Sequence, residues 1–279
     1  MARKIFLLLP FSALLLTSCI KPRPPAPQEQ GGELSNEYVR AAQFFNKLGM
    51  AAMAEENYAK AIANFRKAVK LNPNDPELWK NLGEAYTAAK FYKKAEWAFS
   101  KALSLKPDYG KVYYDFGVLY TAWGKYKKAE EWFKKATDLD TYEERYEAFY
   151  ALAHLYKRLG KEKEYLQALQ RAVDLYPRYR VALLELARYY RSKGDYEKAE
   201  RYYAKYLSVY PNDWYVAMEL AKMFAQEGKY MAAKRLLRKV IDTSQNPQVV
   251  EQAYRLVNQI LIEEAKHKLQ QKGETQSKS

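Results

Sequence analysis

Cys19 is the only cysteine in the 279-residue chain, and its setting is the one that suggests covalent chemistry. A thiol reacts as its thiolate, and a single one forms neither an internal disulfide nor a multi-cysteine metal cluster. Other reactive side chains are thinly spread. His154 and His267 stand apart, with no second ligand at metal spacing, so neither a metal nor a cofactor is expected. No Gly-rich phosphate loop follows a strand, and no nucleophile–base pair is visible. Acids are plentiful, but they fall at solvent positions of helical segments, where Glu–Lys pairs four residues apart account for them. No catalytic residue and no small-molecule substrate is expected. The pattern is that of a non-enzyme that binds through a surface.

What precedes Cys19 indicates a use for its thiol. Arg3 and Lys4 open a positive segment, and Ile5 to Leu16 is an apolar run of 12 residues. A spanning helix needs about 20, and Pro10 interrupts the run, so 1–18 reads as a signal peptide. Leu16-Thr17-Ser18-Cys19 resembles the lipobox of bacterial lipoproteins. The resemblance implies cleavage before Cys19 and acylation of its thiol and amine. Two or more acyl chains, at about 0.8 kcal/mol per buried methylene, hold a protein stably at a bilayer. Ile20 stands where an Asp would retain an enterobacterial-type lipoprotein at the inner membrane. The expected location is therefore the periplasmic side of the outer membrane, or the cell membrane where there is only one.

Residues 19–34 read as a tether, with Pro22, Pro24, Pro25 and Pro27 followed by Gly31-Gly32. The thirteen residues from Lys21 to Glu33, at about 3.1 Å each, reach roughly 40 Å. Lys plus Arg total 47 against 33 acids, a formal net charge of +14, which loss of Arg3 and Lys4 lowers by two. In a cytosol such an excess raises nucleic acid as a partner. A periplasmic address excludes it and favours lipid headgroups, cell-wall polymer or an acidic protein face.

From about Ser35 the chain repeats itself. One unit reads Trp79, Leu82-Gly83, Tyr86, Ala95, Phe99, Ala102 and Pro107. Aligned on it, the eighth position reads Gly49, Gly83, Gly117, Ala153, Ala187 and Ala221, at spacings of 34, 34, 36, 34 and 34. The twentieth reads Ala61, Ala95, Ala129, Tyr165, Ala199 and Ala233, and the twenty-fourth Phe65, Phe99, Phe133, Leu169, Tyr203 and Leu237. These intervals resemble the tetratricopeptide repeat (TPR). The resemblance implies an all-α, right-handed superhelical solenoid of six helix-turn-helix units within 35–245, at about 42–75, 76–109, 110–145, 146–179, 180–213 and 214–245. A capping helix at 246–271 and a polar tail at 272–279 follow.

The physical reading is consistent with that frame. Small residues at positions 8 and 20 let two helices of about 14 residues approach, and the residues at 11 and 24 fill the space beside the crossing. One hairpin cannot bury its apolar surface alone, so units stack. Pro73, Pro107, Pro177 and Pro211 end second helices. Gly124, Gly160, Gly194 and Gly228 turn the chain between helices. Thr141 in place of Pro, two extra residues, and Tyr165 in place of Ala predict local distortion over Asp138 to Tyr165. Val250, Ala253, Tyr254, Val257, Ile260 and Leu261 recur at helical spacing and predict the packed face of the capping helix.

On each first helix, positions 2, 5, 9 and 12 lie opposite the packed stripe. In the TPR family that stripe lines the concave groove where partners dock. Carried onto this chain, it supplies the partner-binding candidates Tyr114, Tyr150, His154, Lys157, Leu184, Arg188, Arg191, Tyr215, Met218 and Lys222. Lys157, Arg158, Arg188, Arg191 and Lys222 then face one acid, Glu147, with tyrosines interleaved. Such a stripe suits an acidic extended or helical segment of a protein partner. Glu84 stands where the carboxylate clamp of chaperone-binding TPR domains has Asn, which argues against that role.

In layout the chain resembles the type IV pilus biogenesis lipoproteins, the pilotins. Besides the leader, tether and repeats, Ala182-Leu183-Leu184-Glu185-Leu186-Ala187-Arg188 and Gly194-Asp195-Tyr196 look like that family's fifth unit. The family implies a scaffold that helps a secretin reach and assemble in the outer membrane, without catalysis. The alternatives are a TPR lipoprotein of the outer-membrane β-barrel assembly machinery and an adaptor for a periplasmic protease or cell-wall hydrolase.

Overall fold

The computed structural model describes residues 36–276, with side chains through Gln271. The expected signal peptide, Cys19, the tether and the end of the polar tail lie outside the described residues. Thirteen helices and no strand occur among the described residues. They pair as hairpins: α1 (Asn36–Ala54) with α2 (Tyr58–Leu71), α3 (Pro76–Ala88) with α4 (Tyr92–Leu105), and α5 (Gly110–Ala122) with α6 (Tyr126–Asp138). The next three are α7 (Arg145–Arg158) with α8 (Glu162–Leu175), α9 (Arg180–Ser192) with α10 (Tyr196–Val209), and α11 (Trp214–Gln226) with α12 (Tyr230–Thr243). Each hairpin packs on the next, and α13 (Pro247–Gln276) closes the stack against α11 and α12. This is the all-α solenoid that the repeat predicts. No described helix is long and apolar enough to cross a membrane.

Local signals set the helix ends. Asp75 accepts from Glu77 N at 2.9 Å, with Pro76 pre-set for the first turn. Asp213 accepts from Val216 N in the same way. An aromatic at position 4 ties back the loop before it: Trp79 Nε1 donates to Pro73 O at 2.7 Å, and Tyr113 hydroxyl to Pro107 O at 2.9 Å. First helices end on a residue with positive φ. Gly124, Gly160, Gly194 and Gly228 sit between +69° and +76°, whereas Glu56 (54°) and Lys90 (61°) take that strained place in the first two units.

Position 8 sets how closely the helices of a hairpin approach. A Cβ at Gly83 would stand 2.4 Å from the Phe99 ring, and the same clash recurs between Gly49 and Phe65 and between Gly117 and Phe133. In the last three units Ala fills position 8, and Leu169, Tyr203 and Leu237 stand buried at position 24. Positions 3, 7 and 10 of each first helix meet the preceding unit; positions 4, 8 and 11 meet their own second helix. One core runs from α1 into α11, and a second joins α11, α12 and α13. Burying each large side chain contributes roughly 1.5–3 kcal/mol.

Two expectations change. The irregular stretch after α6 is plugged by Tyr142, which is buried between Ala136 and Ala148 in a small cluster of its own. Gly110 makes room for it: a Cβ there would lie 2.3 Å from Tyr142 Cβ. On α13 the packed face is Val249, Ala253, Leu256 and Ile260, while Tyr254 and Leu261 are exposed. Of the predicted stripe, Ala253 and Ile260 are buried and Val257 packs on the same core from its edge, whereas Tyr254 and Leu261 turn outward.

Candidate partner-binding groove

Helices α7 and α9 place their position 2, 5, 9 and 12 side chains along one face, and the start of α8 walls it. Between them lies an open cleft of about 810 Å³, lined by Tyr150, Lys157, Tyr165, Val181, Leu184, Glu185, Arg188 and Tyr189 among others. Four of the predicted residues therefore converge: Tyr150, Lys157, Leu184 and Arg188. His154 joins them at the edge through Glu185.

Glu185 is the hub. It occupies position 6 of α9, half-way between the packed and the concave stripe. Its carboxylate lies 3.1 Å from His154 Nε2 and 2.9 Å from Lys157 Nζ, and accepts from the Tyr165 hydroxyl at 3.0 Å. Burial alone would raise this carboxyl, but the Lys157 bond, the charges of His154 and Lys157 and the Tyr165 hydroxyl hold it below the usual range. Tyr150 is pushed up to about 12, first by burial and then by the negative charge of Glu185. Glu219 repeats the arrangement one unit on. Arg188 grips it with two bonds, Nε at 3.0 Å and Nη2 at 2.5 Å, and the Tyr203 hydroxyl donates to it at 3.2 Å.

These pairs correct the expected charge balance. The second half of the groove does not face Glu147 alone, because Glu185 and Glu219 enter it from position 6. Lys157 and Arg188 are already paired, and Arg191 reaches the Tyr203 hydroxyl at 3.4 Å. Lys222 is exposed and has no ion-pair partner among the described residues. The cleft is thus amphipathic: an apolar floor at Val181 and Leu184 beside ion pairs that a ligand's carboxylate would have to open.

The other predicted residues go elsewhere. Met218 is only 6% exposed and sits in the core shared with α13, so it cannot contact a partner. At position 5 of the last unit, α13 covers it as a following first helix would. Tyr215 is exposed but lines a separate shallow cleft with Arg180, Tyr210 and Asn246. Tyr114 lies in the first half, under Lys111 at 4.3 Å from its ring centroid.

Glu185, Glu219, Tyr165 and Tyr189 escaped the stripe reading, and Val181, at position 2 of its unit, lies on the stripe but was not among the candidates. A signal was present: polar residues recur at position 6 as Asn81, Asp115, Glu185 and Glu219. The first two are buried. Asn81 Nδ2 donates to Asn46 Oδ1 of the preceding unit at 2.9 Å. Asp115 has a buried oxygen, Oδ2, without a hydrogen-bond partner. Burial, reinforced by the Glu84 charge, lifts its carboxyl well above the usual range.

Family models of the tetratricopeptide repeat match residues 42–89, 74–141, 146–179 and 180–223. The chain matches none of the curated proteins. Among solved structures, that of Pseudomonas aeruginosa PilF is 16% identical, with 77% of this chain and 97% of that one covered at a TM-score of 0.57. That of PilW, a widely conserved type IV pilus biogenesis factor, is 24% identical, with 76% and 98% covered at 0.53. Identities this low establish a shared fold.

Proposed function

This chain is a tetratricopeptide-repeat protein, a scaffold for protein–protein interaction, and from that premise we propose that it is a bilayer-tethered adaptor for type IV pilus secretin assembly. Cys19 carries the acyl anchor on the periplasmic side of the outer membrane, and the Pro-rich segment holds the solenoid off the surface. The cleft of α7, α8 and α9 takes a segment of the secretin or of another envelope protein.

The observation that carries the reading is the cleft itself. Val181 is 44% exposed beside Leu184, with rigid tyrosines and paired cations around them. Such a surface suits an apolar side chain on the floor and a carboxylate at Arg188, Arg191 or Lys193. The likeness in fold to PilW, over nearly all of that protein, supports the pilus context.

The test is a pull-down from detergent-solubilised membranes with the full chain. Secretin is the expected prey, and a Val181→Glu/Arg191→Glu variant should lose at least about ten-fold of it, or some 1.4 kcal/mol. Barrel-assembly subunits or a hydrolase as prey would replace the secretin reading. Full retention by the variant would overturn the cleft assignment. Separately, Cys19→Ala should move the protein from the membrane pellet to the soluble fraction.

A further inference from the structure

The turns between the two helices of each unit lie along one edge of the solenoid, and two of them are unlike the rest. In the second unit this turn and the start of α4 carry Lys90, Lys93 and Lys94; in the third, Lys125, Lys127 and Lys128 follow the end of α5. No acid stands among them from Thr87 to Lys94 or from Thr121 to Lys128. All six lysines are exposed, and none makes an ion pair or a side-chain hydrogen bond among the described residues. The next acids along the chain are already taken. Glu96 accepts from the Tyr120 hydroxyl at 2.7 Å, and Glu130 holds Lys134 and Lys161 at 2.7 and 3.2 Å.

Elsewhere on this edge the lysines are neutralised. Glu55 meets Lys60 at 3.5 Å in the first unit. Lys193 reaches back to Glu162 at 2.6 Å, and Lys198 holds Asp195 at 2.7 Å. Lys229 stands 3.1 Å from both Glu200 and Glu227. The two basic turns have aromatic rings in place of acids. Tyr92 stacks on Trp123 of the next unit at 5.5 Å, and with Phe91, 51% exposed, they line an open cleft of about 300 Å³ beside Lys90, Lys93 and Lys94. Lys125 Nζ lies 3.2 Å from the Trp123 ring centroid, Lys94 Nζ 5.1 Å from that of Phe91 and Lys128 Nζ 5.2 Å from that of Tyr120. A ring face positions an ammonium without cancelling its charge.

We infer that this edge is a docking surface for the anionic headgroups of a lipid bilayer. Six cations without acids, on two neighbouring turns, complement a layer of phosphates. Rings partly open to water settle at headgroup depth, and the flexible lysine stems let the ammonium groups spread over a surface. Turns at helix ends form a ridge, which meets a flat surface better than it encloses a segment of chain. The orientation, though not the binding, rests on the proposed anchor. α1 starts at the opposite edge, and its 19 residues span roughly 28 Å. That lies within the tether's reach of roughly 40 Å. The tether then holds the start of α1 off the bilayer while the turns of the second and third units touch it.

Vesicle flotation tests this, with the full chain carrying Cys19→Ala so that no acyl chain contributes. A failure of the proposed anchor therefore leaves the result readable. At about 50 mM salt the protein should bind phosphatidylcholine vesicles holding roughly 30 mol% phosphatidylglycerol at least about ten-fold more tightly than phosphatidylcholine alone, and about 500 mM salt should abolish the difference. Lys90→Glu/Lys93→Glu/Lys127→Glu should abolish it too, with unchanged helical circular dichroism. Arg66→Glu/Lys67→Glu/Lys70→Glu, which reverses as many charges at exposed sites of α2, should keep most of it. Equal losses in the two variants would mean that net charge alone is sensed, and would overturn the proposal. So would the absence of any anionic preference; polyglutamate bound in its place would assign the edge to an acidic protein.

Discussion

The first three units and the last three use one backbone plan with two kinds of packing. In the first half Gly at position 8 admits a Phe at position 24, and the second helix comes in against the ring. In the second half Ala stands at position 8 and Leu169, Tyr203 or Leu237 at position 24, all buried. Polar groups between units divide the same way. The first half buries Asn81 and Asp115 at position 6, whereas the second places Glu185 and Glu219 there and ties them to cations of the preceding unit. Its tyrosines supply further hydroxyls: Tyr165 to Glu185, Tyr203 to Glu219 and Tyr206 to Asp213. The lesson is that crossing distance and groove polarity vary independently within one repeat frame.

The sharpest way to break the comparison is to move one half's packing into the other. Gly83→Ala forces a Cβ to 2.4 Å from Phe99 and should cost about 1–3 kcal/mol in urea or thermal unfolding. If size matching is the cause, Gly83→Ala/Phe99→Leu, which copies the Ala153–Leu169 pair, should recover a good part of the loss. A double variant as unstable as the sum of both changes would refute that cause.

Glu185→Gln should cost about 1 kcal/mol at neutral pH, kept small because Lys157 is well exposed. The sign of its pH dependence follows from the depressed carboxyl. The native-state advantage is full above the ordinary value of 4.5 and disappears as pH falls through the lower folded value. Wild type and variant should therefore converge in Tm below pH 4.5.

Asp115→Asn should act in the opposite direction, since Asn81 is its counterpart one unit earlier. The Asp115 carboxyl is raised in the folded state, so native stability is lost as pH rises above the ordinary 3.8. The Asn variant should melt about 2–4 °C higher at pH 7, the size of a 1 kcal/mol gain in a chain of this length. That gain should vanish near pH 3.8.

The smallest effect concerns the turns. Lys90 at φ 61° occupies the place that Gly160 holds at 69°. Lys90→Gly should stabilise by up to about 1 kcal/mol and Gly160→Ala should destabilise by a similar amount, both readable in chemical unfolding. Equal and negligible shifts would show that backbone strain does not distinguish the first two units from the other four.

Much of the fold was legible because it rests on local size. Gly83, Ala95 and Phe99 recur in step with the repeat, and the Gly124 and Gly194 turns mark where helices stop. The candidate site was legible only in part. Tyr150, Lys157, Leu184 and Arg188 follow from the stripe, but Glu185 lies one register position outside it. Met218 has the right position and the wrong neighbour, because α13 seals the last unit. Val250 and Val249 are adjacent in sequence, and which of their stripes packs depends on where α13 comes to rest.

The chain by itself determined that helical hairpins would form and stack, since alternation of small and large residues at a 34-residue period admits little else. It also offered Cys19, its lone thiol, as the place for the proposed anchor. Tertiary structure alone decided which cations of the groove are spoken for, because Lys157 meets Glu185 across 28 residues and Arg188 meets Glu219 across 31. The angle at which one unit settles on the next determines such meetings. That angle comes from the summed packing of many side chains, which no single motif encodes.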